Sequence, residues 1–169
     1  SLAEGEIRMV QVAVAAGDTV NTTVSDTDFA TQYTVAANDW VAGQVYRITA
    51  RGVYSLAVAG HQLIYRVKLG TTTLATSTGN RATGTPTNVG WTLWADVICI
   101  SAGSTGTAEI QGGMNEGPTF APSMPNTAVV TIDTTAAANL IISVQPSVSN
   151  AGTGSTMRQL IIEKLNSIG

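Results

Sequence analysis

The chain has 169 residues and a mass of 17.4 kDa, with 44 % hydrophobic and only 11 % charged residues. That length suits one domain with one substantial core, and the net charge of −3 with a pI near 4.9 gives no electrostatic reason to bind nucleic acid. A single cysteine, Cys99, excludes an internal disulfide, and the absence of any run of about 18 apolar residues predicts no membrane span. The opening "SLAEGEIRMV" lacks a basic n-region followed by an apolar h-region, so no secretion signal is expected, and the lone cysteine fits folding in a reducing cytosol.

Strand signals run the length of the chain. "MVQVAVAAGD" alternates Val10, Val12 and Val14 with Gln11 and Ala13 and predicts a turn at Gly17-Asp18. "TVNTTVSD" is a second Thr/Val run, and "TQYTVAAND" sets Tyr33 and Val35 on one face before Asn38-Asp39. In "QVYRITARGVYSLAVAG", Tyr46, Ile48 and Ala50 share one side while Arg47, Thr49 and Arg51 take the other. "HQLIYRVKLG" repeats the plan, with Leu63, Tyr65, Val67 and Leu69 inward and Ile64, Arg66 and Lys68 outward; "TTTLATS" continues it after Gly70.

Residues 77–90 carry turn formers without periodicity and predict an exposed loop. "WTLWADVICISAG" returns to period two, and "TAEIQGG" is a further strand. "NEGPTFAPSMPN" holds three of the five prolines, which excludes helix and central strand and predicts an extended arm or long loop. "AVVTIDTT" and "NLIISVQPSV" are two more strands. The last apolar stretch, "STMRQLIIEKL", is made of good helix formers, but in an otherwise all-β chain it reads as a closing strand that covers a sheet edge. About ten short strands with frequent turns and no fixed-period repeat describe a β-sandwich or barrel.

The run "YTVAANDWVAGQVYRITARGVYS", the pair "LIYRVKLGTTTLATS", the strand "WTLWADVICISAG" and the ending "RQLIIEKL" together resemble the jelly-roll domains of tailed-bacteriophage virion proteins. The resemblance covers about Phe29 to Leu165 and leaves residues 1–28 outside it. It implies a jelly-roll β-sandwich of two antiparallel sheets over residues 29–169, commonly trimeric, serving as a head decoration, head fibre or tail-associated fibre rather than as an enzyme. Residues 1–28 then form an N-terminal strand or arm, either a capsid-contacting segment or an extra strand.

The inventory for chemistry is thin. His61 is the lone histidine, no G-x-S-x-G elbow exists, and Cys99 sits in a strand pattern as a small buried hydrophobe, so no catalytic residues are expected. One His and one Cys cannot hold zinc, and Asp26 and Asp28 in "SDTDF" make a calcium-like fragment best read as a solvated turn; no metal or cofactor is expected. A three-fold ion site on a trimer axis stays open, and the sequon at Asn21 has no expected role without a secretory route.

Two features stand out. Arg47, Arg51, Arg66 and Lys68 lie outward on two neighbouring strand patterns. If those strands pair, they form either a solvated face or a docking surface for an acidic neighbour. Trp91 and Trp94, three apart on a strand, must face opposite ways. One is core; Trp94 is then a subunit contact or, less favoured, a sugar-stacking platform. Phe120 and Met124 in the proline-rich arm reach onto a neighbour or fold against their own domain. The expectation is a non-enzymatic decoration (cement) protein on the phage capsid surface, with itself as a homotrimer and the major capsid protein or other virion proteins as partners. The alternative is a tail-fibre, head-fibre or spike module for a host receptor or carbohydrate.

Overall fold

A computed structural model describes residues 7–78, 84–117, 120–126 and 128–165, with 7–17 and 125 as backbone only. Twelve strands occur among them: β1 (Ile7–Asn21), β2 (Thr27–Asp28), β3 (Tyr33–Val35), β4 (Val45–Ser55), β5 (Leu63–Leu69), β6 (Thr72–Thr76), β7 (Val89–Ser101), β8 (Gly106–Glu116), β9 (Ser123–Pro125), β10 (Val130–Ile132), β11 (Ala138–Pro146) and β12 (Gly154–Leu165). They form two antiparallel sheets. Sheet A runs β1-β12-β4-β7-β8, and β8 carries β10 and β9 end to end on its far edge. Sheet B runs β11-β5-β6, and β11 carries β2 and β3 on its other side.

The expected period-two alternation holds residue by residue where it was clearest. Tyr46, Ile48 and Ala50 of β4, and Leu63, Tyr65, Val67 and Leu69 of β5, are buried, while Arg47 and Arg51 are exposed. "MRQLIIEKL" is a strand: β12 pairs with β1 from Ile7↔Leu165 to Asn21↔Gly154 and with β4 from Val45↔Leu165 to Ser55↔Gly154. Intrinsic helix preference loses because both flanks of the segment offer a ladder.

Three expectations need correction. Gly17-Asp18 is not a turn: β1 continues through it, and the residues between Ala13 and Asp18 are taken up by an irregularity opposite Arg158, where β12 also bulges against β4. The proline-rich segment does not reach away as an arm. Phe120 bridges Glu116, and Ser123–Pro125 pair with Gln111–Gly113, an edge position that suits prolines. The "SDTDF" turn contains a short strand, β2, on β11. The expected loop over 77–90 lies partly on residues 79–83, outside the described residues.

The core is aromatic at its centre. Phe29 stacks on Trp91 with centroids 6.3 Å apart, Tyr65 leans on Trp91 at 5.0 Å, and Trp40 meets Tyr46 edge-on at 5.2 Å. Each polar tip is satisfied. Trp91 Nε1 donates to Val53 O, Trp40 Nε1 to Gln44 O, and Tyr46 Oη to Asp39 Oδ2. Tyr65 Oη on sheet B donates to Ser155 Oγ on sheet A at 2.9 Å, a buried clip across the two layers.

Trp91 also explains one glycine. It stands opposite Gly52 in the β4/β7 ladder, where a Cβ would strike the Thr156 carbonyl oxygen and come within 2.8 Å of the indole. Gly52→Ala is therefore expected to cost about 1–3 kcal/mol, as overpacking beside a bulge does, seen as a lower urea midpoint with an unchanged slope. Burial, together with nearby Tyr33 and Asp39, pushes the Tyr46 hydroxyl far above its ordinary value of 10.0. The unfolded chain then releases that proton first, so this stabilisation is complete below about pH 10 and falls as pH rises beyond it. Urea midpoints at about pH 8 and pH 10.5 should show a drop that is smaller in Tyr46→Phe; an equal drop in both proteins would contradict this.

Candidate functional site

The sandwich has two ends and two outer faces. One end gathers the turn 36–44, the tight turn at Gly70, the β7–β8 turn and the β10–β11 turn. These are tied together: Asn38 N donates to Thr134 O, Gly103 N to Thr134 Oγ1, and Gly43 N to Cys99 O. Lys164, almost fully buried, anchors the end of β12 there, with Nζ 2.8 Å from Asp39 Oδ1 and 2.7 Å from its carbonyl oxygen. At this end Val41, Ile98, Ile100 and Val129 are exposed at 46, 38, 45 and 53 %. Val45 is the ladder partner of Ile98, and Val129 precedes the Val130 that pairs with Ala108 next to Cys99. The result is an apolar rim at one end of sheet A, interrupted by the exposed Glu109 that faces Ile98 across the β7/β8 ladder.

The four outward cations do not form one basic face. β4 lies in sheet A and β5 in sheet B, so the two pairs point away from opposite sides of the sandwich. Each pair is also largely answered within its own sheet. Arg47 grips Asp96 through two parallel hydrogen bonds of 2.9 and 3.0 Å, and that contact raises the guanidinium above its usual value. Arg51 reaches Gln159 at 3.4 Å. On sheet B, Arg66 donates to Asp26 at 2.9 Å and to Gln145 at 2.8 Å, and Lys68 lies 2.6 Å from Asp28 and 3.6 Å from Asp26. Asp26 and Asp28 are thus countercharges that hold β2 beside β11, a role their spacing alone could not reveal.

Trp94 and Trp91 do face opposite ways, Trp91 buried and Trp94 45 % exposed. Met124 is fully buried against its own core and is withdrawn from the surface; Phe120 is half-buried beside Glu116. Cys99 is buried, and burial pushes its thiol upward, the opposite of an activated nucleophile. His61 Nδ1 lies 2.7 Å from Thr153 Oγ1, which already accepts from Ala57 N, so the pair closes two loops at the far end of the sandwich. Among the described residues no cluster of three His, Cys, Asp or Glu is placed to hold a metal.

Sequence reasoning missed the surroundings of Trp94. Its ladder partners are Thr49 and Gly113. A Cβ at Gly113 would lie 2.8, 3.2 and 3.4 Å from Cζ2, Cε2 and Cη2 of the indole, so the six-membered ring rests on bare backbone. Such a cross-strand aromatic shields a glycine that would otherwise weaken the sheet. The only sequence signal was the pair Gly112-Gly113 in the middle of a strand.

No family model matches the chain, and no curated protein matches it. Solved structures similar to it include the following two. One is the structure of infectious bursal disease virus Gt strain, with TM-score 0.42 and 12 % identity over 97 % of this chain and 34 % of that one. The other is a protein of unknown function from Shewanella oneidensis MR-1, with TM-score 0.45 and 11 % identity over 99 % of this chain and 79 % of that one. The chain spans about a third of the length of the viral protein, and at these TM-scores neither likeness enters the functional argument.

Proposed function

We propose that this chain is a non-enzymatic structural protein of a virion, a jelly-roll decoration protein that binds a phage capsid and opposes its disassembly. The observation that carries this reading is the apolar rim of Val41, Ile98, Ile100 and Val129 at one end of a sandwich whose charged content is only 11 %. Exposed apolar side chains grouped at one place on a domain mark contact with another protein. The Thr-, Ser- and Asn-rich surface around them loses little when water is removed, because few full charges have to be desolvated. The strand order supports the jelly-roll assignment. First pairs with last in sheet A, β4 and β7 continue that sheet, and β2/β3, β11, β5 and β6 make the other, the nested winding of two Greek keys.

In this reading the rim joins three copies and seats them on the lattice of the major capsid protein. The chain is made in the host cytoplasm and ends on the capsid surface. A protein that binds only the assembled shell stabilises that shell by mass action. Residues 7–21 act within sheet A as the strand beside β12, and among the described residues the other edge of β1 is left for a partner.

The test uses the full chain and particles that carry it. Light scattering is expected to give a trimer that Ile98→Glu/Ile100→Glu disperses to monomers with unchanged near-ultraviolet dichroism. Particles stripped of the protein should lose heat resistance and regain it with the wild-type chain but not with the double variant. A monomer at micromolar concentration together with unchanged particle heat resistance would overturn the proposal.

A further inference from the structure

The middle of sheet A's outer face differs from its apolar rim. Around Trp94, the neighbouring outward positions are Thr92 and Asp96 on its own strand, Arg47, Thr49 and Arg51 on β4, and Gln111 and Asn115 on β8, every one polar. The six-membered ring of the indole packs against Gly113, and the residue stays 45 % exposed. A single flat apolar disc ringed by fixed hydrogen-bonding groups is poorly suited to an apolar protein patch, whose centre needs contiguous apolar neighbours. It matches a ligand that is itself a flat apolar disc with a polar rim.

A pyranose with all substituents equatorial is such a ligand: its faces carry only axial C–H groups and its edge carries hydroxyls. We infer that Trp94 is the stacking platform of a saccharide-binding site selective for β-linked, gluco-configured oligosaccharides, built by the cross-strand pair Trp94–Gly113 and its polar surround. The bidentate Arg47–Asp96 pair presents planar donors and acceptors whose orientation is fixed before a ligand arrives, and this lowers the ordering cost of binding. Arg51, steadied by Gln159, does the same on the other side.

The same face continues along β4. From Thr49 to Val53 is four residues, roughly 13 Å of strand, and there the surface dips into an uncharged cleft in which Val53, Tyr54 and Ala151 stand beside the hydrogen-bonding Thr19, Asn21, Ser55, Asn88 and Thr156. A chain of several sugars stacked on Trp94 reaches this cleft; a disaccharide does not. The site is centred on Trp94, four residues or roughly 13 Å along β7 from Ile98, and it uses none of the rim's apolar side chains, so it stands whether or not the capsid reading does.

The test is titration of the full chain with cellohexaose, chitohexaose and, as the axially linked control, maltohexaose, followed by calorimetry and tryptophan emission. Trp40 and Trp91 are buried, so changes in emission report Trp94. Saturable binding of a β-linked hexaose is expected, weaker for its disaccharide and for maltohexaose. Trp94→Ala should weaken it at least tenfold, about the worth of one aromatic stack and its buried area. Trp94→Tyr should recover part of that loss. Gly113→Ala keeps the indole but lifts it from its floor, and should weaken binding with an unchanged melting temperature. No saturation by either β-linked hexaose at millimolar concentration, or binding indifferent to Trp94→Ala, would overturn the site. Acrylamide shielding of Trp94 that grows with protein concentration, without saccharide binding, would assign the face to a second copy and would equally overturn it.

Discussion

The position of β12 between β1 and β4 is the constraint on which the rest of this molecule depends. The last strand of the chain is an interior strand of the larger sheet, laddered on both sides over nearly its whole length. Its even-numbered side chains, Leu160, Ile162 and Lys164, turn toward the interior, and Lys164 carries its charge to Asp39 instead of to water. Sheet A cannot close before β12 arrives, whereas sheet B contains no part of that strand. Among the described residues β1 pairs with no other strand, and Lys164 and Asp39 fasten the turn 36–44 to β12. Folding by such long-range pairing postpones contact formation until large loops have been closed, which favours slow and cooperative assembly.

From that closure follows the aromatic centre. Because β12 brings Ser155 beneath Tyr65, a hydroxyl from each sheet meets in the core, and because it brings Thr156 beside Gly52, the β4/β7 ladder can admit Trp91 only where no Cβ intervenes. The two tryptophans of β7 therefore obey one rule on opposite faces. Each lies over a glycine on a neighbouring strand, Gly52 inside and Gly113 outside. Inside, the indole fills the core; outside, the same device leaves an exposed ring that the fold itself does not need to bury.

What could be read from residue order alone was what depends on near neighbours. Alternation in β4, β5 and β7 requires only that successive side chains point to opposite faces; in β4 and β5 it assigns each side chain a face, and in β7 it sets Trp91 and Trp94 on opposite ones. What could not be read was pairing between distant strands. Arg51 and Arg66 are close in sequence and look like parts of one basic surface, yet the chain crosses from one sheet to the other between them. Asp26 and Asp28 look like an isolated acidic turn until β2 docks on β11 and brings them to Arg66 and Lys68. Met124, in a segment whose prolines forbid a central strand, still finds an edge of β8 to pair with and a core to enter. In each case the missing information is register, which a single sequence encodes only through the fold it adopts.

Apart from Val24 and Val58, the large exposed apolar side chains among the described residues fall into two physical kinds, and the difference bears on what each can bind. Val41, Ile98, Ile100 and Val129 are branched aliphatics at one end, with Val45 beside them; they have no directional preference and gain by being covered with any matching apolar surface. Trp94 stands among hydrogen-bonding groups, a flat aromatic side chain 45 % exposed and packed against Gly113. Covering the rim rewards area and tolerates variation in the partner. Covering Trp94 with an aliphatic protein surface would bury the Arg47–Asp96 pair and the ends of Gln111 and Asn115 with it, and each buried polar group left without a partner costs about 1–3 kcal/mol. Only a partner that supplies hydrogen bonds at its margin and a flat apolar centre avoids that cost, so the two patches on one sheet select for different chemistry.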